Sequence, residues 1–243
     1  MRTIIIAPAG AEGPGGDVLE LEGLDVRVAT RRLVAGVDLA VAAGERVALV
    51  GPSGSGKSLT AAAVLGTLGP AYAASGRLVL EGRPVDLRRR LGRTRRERAG
   101  LAAVHQASAT ALNPLVRVGV QLVEAARARR GLTRGAARDL VLDLMGQADL
   151  ADPAALLGRH PAALSGGQLQ RVCTVLALVC APRLLVADEP TTALDAVARA
   201  RVVDLLERHC EGSGAALLLV THDREVAARL CSRSVALAEG RVA

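Results

Sequence analysis

Half of the 243 residues are hydrophobic, enough for one large domain or two small ones, yet Phe and Trp are absent and Tyr72 stands alone, so the core has to be Leu, Val and Ala. The formal charge of +7 is concentrated in Arg88-Arg89-Arg90, Arg93, Arg95-Arg96 and Arg98; with no aromatic residues interleaved, base stacking and hence nucleic-acid binding are disfavoured, leaving a solvated face or a patch near a membrane or partner. Cys173, Cys180, Cys210 and Cys231 form no C-x-x-C, Met1–Ile6 is too short for a signal peptide, and the longest apolar stretch, Val172–Pro182, is far short of a membrane span, so a soluble, cytoplasmic chain with reduced cysteines is expected.

In chain order, Ala7–Gly16 is rich in Gly, Pro and Ala and reads as a flexible leader, which places the ordered domain at 17–243. Val18–Val28 and Val37–Val41 alternate apolar and polar residues and predict antiparallel strands. Arg46–Val50 reads as a short buried strand, Gly51–Ser58 as a Gly-rich loop and Leu59–Gly66 as a helix. Arg77–Leu80 is a strand entering the turn Glu81-Gly82, and Leu101–His105 is another short strand ending at Gln106. From about 107 to 164 the period becomes helical, most clearly over Leu122–Arg127 and Ala136–Met145, and predicts an inserted helical subdomain. The α/β pattern resumes with a helix from about Ser165 to Val179. The strand Leu184–Ala187, the helix Val197–His209, the strand Ala215–Val220, a helix through Leu230 and a last strand Val235–Ala238 follow. The predicted class is α/β, with a mainly parallel core sheet, an antiparallel β lobe and the helical insertion.

The chemistry starts at Gly51-Pro52-Ser53-Gly54-Ser55-Gly56-Lys57-Ser58, a G-x-x-x-x-G-K-S phosphate-binding loop between strand and helix. Its glycines let several backbone N–H groups face one anion, and the helix beginning near Leu59 adds its positive end. Lys57 supplies a charge for the β- and γ-phosphates and is the sole lysine among the 31 Lys and Arg residues; the Ser58 hydroxyl suits Mg²⁺. Asp188 and Glu189 follow an apolar strand, so they are expected at the same sheet edge as the loop. Asp188 is then a candidate Mg²⁺ ligand and Glu189 the base that polarises water. His222 and Gln106 also end strands; His222 can orient the water, and Gln106 can contact both the metal shell and the water. Ser165-Gly166-Gly167-Gln168 opens a helix with bare glycines, a second anion grip that points to action in trans.

Taken together these segments resemble the ATPase subunits of ABC transporters. Gly51–Ser58 is similar to Walker A, Gln106 to the Q-loop, Leu164–Gln168 to the LSGGQ signature, Leu184–Glu189 to Walker B, Ala193-Leu194-Asp195 to the D-loop and His222 to the switch histidine. The resemblance covers about residues 18 to 243. It implies a head-to-tail dimer, with an identical or a homologous ATPase, that traps ATP between Lys57 of one subunit and Ser165 of the other. It further implies Mg²⁺, hydrolysis through Glu189, two membrane permeases, indirectly a substrate-binding protein, and a peripheral position at the cytoplasmic face of the membrane.

His105-Gln106-Ala107-Ser108-Ala109-Thr110-Ala111-Leu112-Asn113-Pro114 is similar to the Q-loop extension of peptide/nickel importers, and the lead-in Leu33–Val37 looks most like the nickel-importer ATPase. A nickel or other transition-metal cargo is therefore expected, with a dipeptide or oligopeptide importer, or a soluble phosphonate-breakdown assembly, as the alternatives. The family's adenine-stacking aromatic near Val28–Arg32 is missing, so aliphatic side chains or an arginine plane have to take its place. None of His105, His160, His209 and His222 belongs to a closed ligand set, so the cargo is expected to be chosen by other subunits.

Overall fold

The structure is a computed structural model that describes residues 16–88, 100–105, 111–192 and 194–243. The leader up to residue 15, most of the arginine run, Gln106 and Ala193 lie outside the described residues. The strands, in chain order, are β1 Asp17–Val28, β2 Arg31–Ala42, β3 Arg46–Val50, β4 Tyr72–Leu80, β5 Arg83–Val85, β6 Leu101–Val104, β7 Leu184–Asp188, β8 Ala216–Val220, β9 Arg233–Ala238 and β10 Arg241–Val242. The helices are α1 Lys57–Leu65, α2 Val118–Arg130, α3 Arg134–Gln147, α4 Pro153–Leu157, α5 Gly166–Val179, α6 Ala196–Ser213 and α7 Arg224–Leu230. The chain divides into two compact units: Met1–Leu101 with Arg183–Asp188 and Gly214–Ala243, and Ala102–Pro182 with Glu189–Ser213.

The first unit holds an antiparallel sheet ordered β2-β1-β4-β5. β1 is not a plain alternating strand. Leu21 and Leu24 are both buried, and the ladder to β2 slips between them. Gly23, at φ +58, takes up the extra residue, so both leucines stay inside. β2 starts at Arg31 rather than Val37 for the same reason. The run Leu33-Val34-Ala35-Gly36 does not alternate because a second slip falls between the pairs Leu24–Val37 and Val26–Val34. Asp25 steadies that slip by accepting the Gly36 N–H at 2.9 Å and the Arg32 guanidinium. β4 is also longer than its apolar stretch, and Tyr72 pairs with Val28.

The second sheet of this unit places β3 between β8 and β9, with β7 beyond β8, all parallel. Every residue of β8 is buried, as a strand covered on both faces requires. Strand direction fixes the site, because Val50, Asp188 and Val220 all end at one edge. Val235–Ala238 is not the end of the sheet. Glu239 and Gly240 both take positive φ and turn the chain back into β10. Glu45 braces the opposite end, accepting from Arg233 Nε at 2.6 Å and from the Ala42 N–H at 2.9 Å. Burial alone raises the Glu45 carboxyl, but the Arg233 bond and charge and the Ala42 N–H outweigh it and hold the pKa below the ordinary value.

The second unit is mainly helical. Leu122, Ala126, Ala137, Val141 and Met145 bury the α2–α3 seam. Gly119 is needed there: a Cβ at that point stands 2.8 Å from Leu157 Cβ on α4. Arginines close the helix ends. Arg130 donates to the Leu178 and Val179 carbonyls at the end of α5, and Arg171 to those of Ala148 and Asp149 after α3. Cys173 and Cys210 behave as small apolar residues, and burial pushes the Cys173 thiol up to about 12.

Candidate functional site

In the first unit β3 runs into Gly51–Ser58, and α1 begins at Lys57, two residues ahead of the expected Leu59. Gly56 is the N-cap at φ +100, and Thr60 hydroxyl donates back to its carbonyl at 3.0 Å. Pro52, Ser53 and Gly54 are exposed, Ser55, Gly56 and Lys57 are buried, Ser58 is exposed and Leu59 half-buried. Lys57 Nζ donates to the Gly51 and Pro52 carbonyls, 2.9 Å each, which centres the ammonium in the concavity of the loop. That is where an anion held by the loop's N–H groups needs a cation.

The decisive contact spans 130 residues of sequence. Ser58 Oγ donates to Asp188 Oδ1 at 3.0 Å. Two hard oxygen donors thus sit side by side at the mouth of the loop, the donor chemistry that Mg²⁺ takes. His222 follows β8 at the same sheet edge and is exposed. It sits between two anchored neighbours: Thr221 Oγ1 accepts the Asp223 N–H at 3.0 Å, and Asp223 caps α7 through the Glu225 and Val226 N–H groups.

The second unit carries the remaining candidates. Ser165 and Gln168 form a complete capping box: Ser165 Oγ accepts the Gln168 N–H at 3.2 Å, and Gln168 Oε1 accepts the Ser165 N–H at 3.0 Å. Ser165 and Gly166 are exposed. A Cβ on Gly166 meets nothing within 4 Å, so the chain's own packing does not call for glycine there. Glu189 has φ +50, a left-handed conformation that costs a non-glycine residue about 1–3 kcal/mol. Thr192 Oγ1 donates to Glu189 Oε2 at 2.6 Å. Asp195 uses a carboxylate oxygen to accept the Ala198 N–H at 2.8 Å, capping α6.

The sequence profile of the ABC transporter family matches residues 34–192. The chain belongs to that family. This ABC ATPase is similar to the dipeptide transport ATP-binding protein DppD of Escherichia coli (strain K12), at 37% identity over 214 residues that cover 87% of the chain and 65% of DppD. It is 35% identical to the protein of the same name from Bacillus subtilis (strain 168), over 93% of the chain and 69% of that protein. Among solved structures it resembles the dimeric post-hydrolysis ATP-binding cassette MJ0796 bound to ADP and Pi, with a TM-score of 0.78 and 27% identity over 92% of this chain and 96% of that one. The fold is the P-loop ABC ATPase fold, and the chain is an ATP-binding, ATP-hydrolysing subunit of that class.

Two residues of the ABC ATPase escaped the sequence reading. Thr192 holds the Glu189 carboxylate, and buried Gln170 donates to the Pro190 carbonyl at 3.0 Å, fixing the bend after Glu189. A polar residue with helical spacing inside the apolar α5 was the available signal for Gln170. Among the described residues no helix is long and apolar enough to cross a membrane, and no group of three His, Cys, Asp or Glu side chains could hold a metal ion.

Proposed function

We propose that this ABC ATPase energises an importer of short peptides. The observation that carries the cargo class is the 37% identity, over most of the chain, to a protein named for dipeptide transport. The nickel reading has no comparable support among these relatives, and the same names disfavour a non-transport assembly. The chain pairs head to tail with a second ATPase, identical or homologous, and lies peripherally on the cytoplasmic face beneath two permeases. A substrate-binding protein delivers the cargo, and nucleic acid plays no part.

Each ATP lies between the Gly51–Ser58 loop and Leu59 of one subunit and Ser165, Gly166, Gly167 and Gln168 of the other, with Asp195 at the seam. Lys57 draws the β- and γ-phosphates into the loop. Ser58, Asp188 and the Gln106 amide would hold Mg²⁺, and the ion would supply neutralisation of the phosphate charge. Glu189 takes the proton of the attacking water, and His222 and Gln106 orient that water. The insertion at about 107–164 carries the opening and closing to the permeases.

The test is uptake in a strain lacking this gene. Uptake of labelled dipeptide is expected to fall to background while nickel uptake is unchanged. Loss of nickel uptake alone selects the metal cargo, and no change in either counts against import.

A further inference from the structure

The β9–β10 turn lies directly against the phosphate loop. The Gly240 N–H donates to the Ser55 carbonyl at 3.1 Å, and the Gly240 carbonyl accepts the Ala35 N–H at 2.7 Å. One glycine thus ties the loop to β2. The fit leaves no room for a side chain. Gly240 has φ +78, and a Cβ on it would stand 2.4 Å from the Leu33 carbonyl oxygen and 3.2 Å from Val34 Cα.

The loop rests on this hairpin at both of its ends. A Cβ on Gly51 would lie 2.1 Å from the Leu237 carbonyl oxygen on β9. A Cβ on Gly56 would lie 3.0 Å from Val34 Cγ2 and 3.6 Å from Gly240 Cα. Ser55, between them, is anchored through its backbone and not its hydroxyl, which is buried with no hydrogen-bond partner among the described residues. Amides grip an anion only while they converge, so whatever sets the curvature of the loop sets its affinity.

We infer that the β9–β10 turn, through Gly240, is a positioning element of the nucleotide site. It touches no phosphate. It holds Ser55 and β2 together so that the loop keeps its arc before ATP arrives. The inference rests on ATP binding at Gly51–Ser58, which the unaltered chain tests separately in the same titration.

The experiment compares Gly240→Ala with Gly82→Ala. Gly82 also has positive φ, +72, in a turn of the same unit, but a Cβ there meets nothing within 4 Å. Both substitutions strain a turn, and only the first presses on the loop mount. Gly240→Ala is expected to raise the ATP dissociation constant about tenfold or more with kcat at saturating ATP nearly unchanged, while Gly82→Ala leaves the constant alone. Equal effects of the two, or none from Gly240→Ala, overturn the inference. Hydrogen exchange in the unaltered chain covers the case in which Gly240→Ala fails to fold. Saturating Mg-ATP is expected to slow exchange in a peptide spanning 238–243 about tenfold, and unchanged exchange there overturns the inference as well.

Discussion

Glu189→Gln is expected to lower steady-state ATP hydrolysis by about 10² to 10⁴-fold while ATP affinity stays within about twofold. The amide cannot take a proton from water, and little else changes. Glutamine keeps the length of the side chain and an oxygen to accept the Thr192 hydroxyl, so the carbonyl end stays where the 2.6 Å bond holds it. The left-handed backbone at Glu189 costs glutamine as much as glutamate, so stability is unaffected to first order. Phosphate release at saturating ATP, beside a fluorescent-nucleotide titration, separates the two effects. Turnover equal to that of the unaltered chain removes Glu189 as the base.

Lys57→Ala is expected to abolish tight ATP binding. Lys57 is 7% exposed, and its ammonium holds two carbonyls of its own loop at 2.9 Å each. Alanine removes the cation proposed to meet the phosphates and leaves the Gly51 and Pro52 carbonyls without their donor. A charge-assisted bond to an anion contributes about 1.5–3 kcal/mol, so one lost contact weakens binding roughly ten- to a hundredfold, and two phosphates are involved. Arginine is a poor rescue because a planar fork does not fit between those carbonyls. Isothermal titration with ATP measures the loss, and an unaltered dissociation constant contradicts the assignment.

Legibility in the sequence followed the physics of each segment. β3, the loop and α1 were plain because fixed residue types at fixed spacing do one job. The pairing of Ser58 with Asp188 was foreseeable from strand direction alone, since parallel strands deliver their C-terminal residues to one edge. The N-terminal half of β2 was not legible, because period-two alternation fails wherever the ladder slips, as it does beside Gly36. β10 has two residues and no period to read. Thr192 was invisible for another reason: it bonds Glu189 within a bend where Glu189 takes a left-handed backbone, which the residue type does not announce.

The proposed shared site, with Lys57 and Ser165 supplied by different copies, predicts association driven by nucleotide. Sedimentation velocity on the Glu189→Gln chain, alone and mixed with the second ATPase of its transporter, reads this directly. Mg-ATP is expected to convert monomer to dimer, and adding Gly166→Asp is expected to prevent it without weakening ATP binding, since the Gly166 position is exposed and meets no neighbour within 4 Å. A monomer at every ATP concentration, or a dimer that forms equally well with Gly166→Asp, contradicts a shared site.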